Sequence, residues 1–568
     1  MCKLSCYSIA LTAALLSGCS SLTPKATTQA PAPVKPVVYT PGELNAETLF
    51  DLLSAELAGH QQQYDISLDK YLKQAELTGD PGILRRATRI AQFTQNQEAL
   101  EKAALLWNKY EPHSPEPQEL LAGLFIHQQK FDQALPYVKA TLENSSAQVL
   151  LLLSSQVSQM TPEENKAFLT VINAELVKDN TRSELWLTKG IIERHLTQNT
   201  QALKSFESAI RTNTDAYEAR IQKADLLKEL GRYNEALKTI DRILLDDSEN
   251  RQARILQIQT LYKANKSRKA IQLSHTLIDD YPEETQLQLY LALLALDFNY
   301  LEESRIMLEK IANDSADSSP NFYLGLIAEQ SEKYEAAIQY FSKVRHGNNI
   351  VAAYTRILSI LSGKNNQARV AAIMDQAIQQ NADLEADLIH LHADWLNSAD
   401  LKSDALALLK KGVALFPDVI KLRFARAMLY PQEEFALAEA DFKDVLFAEP
   451  DNAMALNAYG YTLTLYTTRY KEAYDLIKKA IAIKPEDPAI MDSMGWVLYK
   501  LDRYKDAHFY LLKAYKAYPD PEVGGHLIAV LVALKEKEKA QKLYDSLISK
   551  YPDSEHLTSA GKLLNGDL

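Results

Sequence analysis

Three cysteines could do thiol chemistry in this chain, and all lie at its start, as Cys2, Cys6 and Cys19. The 549 residues after Cys19 contain none, so the body can form no disulfide, zinc–thiolate centre or thiol nucleophile. The densest group of metal-ligand types in one stretch is His390, His392 and Asp394. On a helix that spacing turns His392 away from the other two, so a polar helix face is expected there rather than a metal site. Acidic residues are spread along nearly every segment instead of being paired, the pattern of a solvated surface. No GxxxxGKS/T, HExxH, GxSxG or Cys-x-x-Cys motif occurs. A formal net charge of −12 lacks the basic footprint that gives nucleic-acid binding its affinity. The expectation is therefore no enzyme, no cofactor, no resident metal, no nucleic acid and no small-molecule substrate.

What remains is a surface, and the elements that build it are helical. The 568 residues include only 18 Gly and 21 Pro, which favours long uninterrupted helices and an all-α fold. Residues 1–18 read as a secretion leader, with Lys3 ahead of a largely apolar run from Tyr7 to Leu16 and small residues Ser17 and Gly18 before Cys19. That run is short of the ~20 apolar residues a membrane-crossing helix needs. Residues 19–42 are a Pro-rich tether carrying Pro24, Pro31, Pro33, Pro36 and Pro41. From Leu44 onward apolar residues recur at i, i+3, i+4 and i+7, as in the segment ETLFDLLSAEL, without strand-like alternation.

The helices repeat. Taking one small residue from each second helix gives Ser67, Ala99, Ala134, Ala167, Ala202, Ala236, Ala270, Ser304, Ala337, Ala368, Ala405, Ala438, Ala473, Ala507 and Ala540, spaced by about 34 residues. Pro282, Pro417, Pro450, Pro485, Pro519 and Pro552 each fall twelve residues after the corresponding alanine, an independent series with the same drift. The steps of 31 and 37 on either side of Ala368 imply one loop or helix that has exchanged length with its neighbour. Paired small residues, Gly190 with Ala202 and Gly495 with Ala507, would let two antiparallel helices approach closely, and the proline would end the unit.

This pattern resembles the tetratricopeptide repeat, a helix-turn-helix unit of about 34 residues. The resemblance implies a solenoid, a right-handed superhelix of antiparallel helix pairs with about 14–15 units. Residues 43–179 read as divergent N-terminal repeats, 180–553 as the TPR solenoid, and 554–568 as a capping helix and tail. In that family the second, fifth, ninth and twelfth repeat positions line the concave side. Here these are Met454, Asn457, Tyr461 and Thr464, then Ala489, Asp492, Trp496 and Tyr499, then Val523, His526, Val530 and Ala533. Asn457, Tyr461, Asp492, Trp496 and Tyr499 are the expected partner-binding stripe, with Trp496 as an exposed aromatic hot spot. Trp186, at a unit's fourth position, is expected to pack internally. The basic clamp that some family members use for chaperone tails is absent, Ile221, Asp225 and Lys228 standing in one unit's positions.

Leu16-Ser17-Gly18-Cys19 resembles the lipobox of bacterial lipoproteins, which implies lipidation of Cys19. Ser20, rather than an aspartate, resembles an outer-membrane address. Removal of the leader takes only Lys3 among the charged residues and leaves a net charge of −13. Lipobox, tether and repeats together resemble the LbcA-like lipoproteins, which partner a carboxyl-terminal processing protease and bring it peptidoglycan hydrolases. The implied function is a lipid-anchored, periplasm-facing adaptor in the outer membrane. A scaffold for pili, exopolysaccharide export or outer-membrane protein assembly would share these features. If Cys19 carries lipid, Cys19→Ala moves the protein to the soluble periplasmic fraction or leaves it unprocessed, and unchanged outer-membrane fractionation of the variant would refute the anchor.

Overall fold

The computed structural model describes residues 45–143, 147–314 and 318–566. The leader, Cys19 and the tether lie outside the described residues. Among the described residues are 31 α-helices, four short 3-10 turns and no strand, which makes fifteen successive helix pairs followed by a final helix Glu555–Asn565. None of these helices is long and apolar enough to cross a membrane. The chain divides into two compact units, one ending at Asp246 and the other beginning at Asp247.

Within a pair, the turn has one recurring geometry. Two residues before the second helix the backbone enters the left-handed region, at Gln62, Gln95, Gln129, Thr197 and Gly231 in the first unit. In the second unit the same place is taken by Asn265, Asn299, Glu332, Asp400, Asp502 and Lys535. The residue that follows donates its N–H five residues back, as Gln198 does to the Glu193 carbonyl (2.8 Å) and Arg503 to that of Leu498 (2.9 Å). This closure satisfies carbonyls that the end of the first helix would otherwise leave unpaired, and it reverses the chain. Glycine fills the position only at Gly231, so the turn is invisible to a search for glycine.

In the pairs that carry glycine, the crossing of the two helices is close because the first helix presents a residue without a side chain. A Cβ at Gly190 would come 2.5 Å from the Phe206 ring, and one at Gly495 would collide with Leu511 and lie 3.2 Å from the Ala507 carbonyl oxygen. The glycine thus makes room for the side chain four residues beyond the paired alanine, as well as for the alanine's own backbone. Ala202, Ala507, Phe206 and Leu511 are all fully buried. Each Phe or Leu so seated contributes about 1.5–3 kcal/mol of burial.

Most of the small-residue register holds, with three corrections. In nearly every second helix the marked residue is the fourth, and it is buried. Ala368 is exposed, and the fourth residue of helix Gln367–Gln380 is Val370, fully buried. A 3-10 turn at Lys364–Asn366 delays that helix, so the steps of 31 and 37 become ordinary steps of 33 and 35 and no length has been exchanged. Ala167 is half-buried, and Asn165 takes its place because the Thr161–Glu164 capping box and Pro162 fix an earlier helix start. In helix Gln97–Tyr110 the fourth residue is Leu100 rather than Ala99, with Pro112 twelve residues further on.

Ala507→Leu should overpack its crossing and destabilise by about 1–3 kcal/mol, whereas Ala440→Leu, on an exposed position of helix Phe435–Ala448, should leave the thermal midpoint unchanged. Equal melting of the two variants would contradict the register. The left-handed turn supplies a second test. A β-branched residue there carries strain of about 1–2 kcal/mol, and Thr197 is exposed with φ +60°. Thr197→Asn should relieve about half or more of that strain and so raise the urea midpoint of unfolding, and a lowered midpoint would contradict it.

Candidate functional site

The first helices of three successive repeats and the final helix assemble a polar and aromatic cluster in the second unit. Helix Ala453–Tyr466 supplies Asn457 and Tyr461, helix Pro488–Lys500 supplies Asp492, Trp496 and Tyr499, and helix Pro521–Ala533 supplies Glu522 and His526. Helix Glu555–Asn565 adds His556. All four start at a side-chain cap, with Asn452, Asp487, Asp520 and Ser554 accepting backbone N–H groups of the first turn. Because the caps recur every 33–35 residues, the helices begin in matching register. Spacings of four residues then place Asn457 with Tyr461, Asp492 with Trp496, and Glu522 with His526 on common faces.

His526 is the centre of the cluster. Its Nδ1 lies 3.0 and 3.2 Å from the two carboxylate oxygens of Asp492, and both residues are only 6% exposed. The Trp496 ring stacks on the imidazole with centroids 4.0 Å apart and 17° between planes. Trp496 also stacks with Tyr499 at 4.9 Å and 9°, and Lys500 Nζ sits 4.9 Å from the indole centroid. Tyr461 approaches His526 edge-on and donates its hydroxyl to Glu522 Oε1. Burial first, and then the Glu522 charge, hold the Tyr461 hydroxyl far above its ordinary pKa, so it remains a donor. Burial raises Tyr499 as well.

Two buried polar atoms in this cluster have no protein partner, Trp496 Nε1 and Asn457 Oδ1. Buried groups of this kind are uncommon in folded chains and each calls for an explanation.

The structure brings Tyr461, Asp492, Trp496 and Tyr499 together through His526, and Asn457 shares the Tyr461 helix face. It corrects their exposure. Trp496 is half-buried in a stack rather than an exposed aromatic, and Asp492 is buried because His526 covers it. Thr464, Val523 and Val530 do not line an open groove, being 2%, 7% and 0% exposed. Val523 packs with Met491 and Ala514, and Val530 belongs to the core shared with Leu557, Ala560 and Leu564 of the final helix. Met454 and Ala489 are exposed.

Elsewhere, Trp186 is half-buried against the core of its unit, donating Nε1–H to the Asn180 carbonyl (2.9 Å). Asp225 is engaged by Arg194 (2.6 Å) and Lys228 (2.5 Å), and Ile221 is buried. His390 pairs with Asp394 at 3.2 Å, while His392 is buried away from that pair. Sequence reasoning did not single out Glu522 and His556. Glu522 sits at the start of its helix, outside the family's groove positions, and His556 belongs to a helix read only as a cap.

Residues 196–258 and 527–554 match family descriptions that both read "Tetratricopeptide repeat". A TPR repeat-containing protein of Pseudomonas aeruginosa is 31% identical over 523 residues, covering 90% of this chain and 88% of that protein. Among solved structures, the APC/C hetero-tetramer Cut9-Hcn1 matches at 13% identity over 92% of this chain and 96% of that chain, with a TM-score of 0.34. Naa15/Naa10 bound to HypK-THB matches at 13% identity over 92% of this chain and 88% of that chain, with a TM-score of 0.33.

Proposed function

The chain belongs to the tetratricopeptide-repeat family, and on that footing we propose that it is a protein-binding adaptor whose C-terminal first helices receive a polypeptide partner. Repeats fill the described chain and neither family match is to a catalytic family. The observation that carries the reading is the half-buried aromatic stack of Tyr499 and Trp496 on His526, with Lys500 beside the indole, rigid contact area of the type that dominates interface energetics.

The finer reading rests on the resemblance to LbcA-like lipoproteins. The adaptor is anchored through lipid on Cys19 to the outer membrane and faces the periplasm. It recruits a carboxyl-terminal processing protease and presents peptidoglycan hydrolases to it. The Leu16-Ser17-Gly18-Cys19 order and the Pro-rich tether support the anchored part of this reading.

Crosslinked capture of partners from an envelope extract by the full-length lipidated protein tests both levels. Trp496→Ala combined with Tyr499→Ala should weaken capture at least ~10-fold, equivalent to ~1.4 kcal/mol, with helical content retained by circular dichroism. Undiminished capture by the folded double variant would refute this surface. It would point instead to the first helix, Ala46–His60, whose Leu49, Phe50, Leu53 and Leu57 are 50–65% exposed. Recovery of pilus, export or outer-membrane assembly factors in place of a protease would refute the finer reading while leaving the adaptor.

A further inference from the structure

Glu522, His526 and His556 present one ligand atom each, all within 4.8 Å of one another. Two imidazole nitrogens and a carboxylate oxygen form a donor set suited to a divalent cation of zinc type. The surroundings prepare these atoms individually. The Asp492 carboxylate accepts from His526 Nδ1, so Nε2 is the ring nitrogen left for a ligand. Stacking on Trp496 holds that ring in place. Tyr461 donates to Glu522 Oε1, so Oε2 is the oxygen left over, and it lies 4.0 Å from His556 Nε2.

His556 arrives by a backbone device. A Cβ at residue 525 would lie 3.1 Å from the His556 carbonyl oxygen and 3.4 Å from its Cβ, so Gly525 is what lets the final helix settle at this point. Glu522 and His526 flank that glycine on one helix, four residues apart. The carboxylates of Glu522 and Asp492 flank the two imidazoles, Asp492 at His526 Nδ1 and Glu522 on the side of His556 Nε2 where a cation would sit.

We propose that Glu522, His526 and His556 bind one divalent transition-metal cation, Zn2+ by donor type, with Asp492 and Tyr461 orienting the ligands and the fourth position open to water. Tetrahedral Zn–N and Zn–O bonds of about 2.0–2.2 Å put ligand atoms about 3.3–3.5 Å apart. Closing to that spacing from the 4.8 Å envelope falls to Glu522 and the exposed His556, since His526 is held by Asp492 and Trp496. The site is independent of whether the same face also receives a polypeptide.

The test uses the full chain, free of any polyhistidine tag and stripped with chelator, titrated with ZnCl2 alone in a calorimeter. One molar equivalent should bind, and the emission of Trp496, stacked on a ligand, should change over the same titration. Substituting Co2+ should give the absorption of a tetrahedral N/O site. His556→Ala, at an exposed position, should weaken Zn2+ binding at least ~100-fold with unchanged circular dichroism, and Asp492→Asn should weaken it about 10–100-fold. His390→Ala, at the other histidine–carboxylate pair, should leave the affinity as it is. No saturable binding by the wild type, or equal affinity in wild type and His556→Ala, would overturn the site.

Discussion

The close crossing of the two helices in each repeat is the constraint on which the rest depends. In the tightest pairs the first helix presents a bare glycine backbone where the second passes, and the second brings a small residue, most often alanine, to that point with a large side chain one turn later. Gly190 with Phe206, Gly325 with Phe341 and Gly495 with Leu511 are three copies of this arrangement, each sixteen residues apart. The spacing is set by the turn between the helices, since the left-handed residue and the N–H bond reaching five residues back leave little freedom in where the second helix begins. Once the pair is locked, its remaining apolar face has to be covered by the next pair, and stability accumulates from neighbour to neighbour.

A stack of this kind must end, and the manner of ending shapes the candidate site. The final helix buries Leu557, Ala560 and Leu564 against the core, and Gly525 admits its backbone at close range. Helix Pro521–Ala533 is consequently buried at every position from Val523 to Leu531. A histidine inside such a stretch needs its polar atoms satisfied, because an unpaired buried donor costs about 1–3 kcal/mol. Asp492, one repeat earlier and held in register by its own cap, meets that need. The same closure that removes Val523 and Val530 from any open groove therefore creates the His526-centred cluster.

The fold was legible because its strongest signals are periodic and redundant. Alanines and prolines mark the same repeat from opposite ends of the second helix, so agreement between them survives single errors. The misplacements occurred where a local device moves a helix start without altering the average period, as the 3-10 turn before Val370 and the capping box before Asn165 do. The left-handed turns went unread as a series because Gln62, Gln95, Gln129, Thr197, Glu332 and Lys535 have no turn signature and interrupt the Gly, Asn and Asp that occupy the others. At the site, Asn457, Tyr461, Asp492, Trp496, Tyr499 and His526 could be found from their repeat positions, since equivalent positions on first helices share a face. Their burial could not, because it depends on what the final helix covers. Glu522 and His556 have no repeat position in common, and only the packing of one helix on another places them together.

The Asp492–His526 pair sets this end of the molecule apart from a plain cap. A well-packed apolar pair of similar volume would be at least as stabilising as a buried carboxylate and imidazole, and every neighbouring position on helix Pro521–Ala533 follows the apolar rule. Stability that is distributed over fifteen helix pairs can absorb a local cost that a small single-core domain could not. The cluster also brings together an imidazole held by a carboxylate, an oriented second carboxylate and an aromatic stack. It leaves an indole N–H and an amide oxygen without partners. Each is a group that a water or a bound ligand has to complete, a demand that the apolar positions around it do not make.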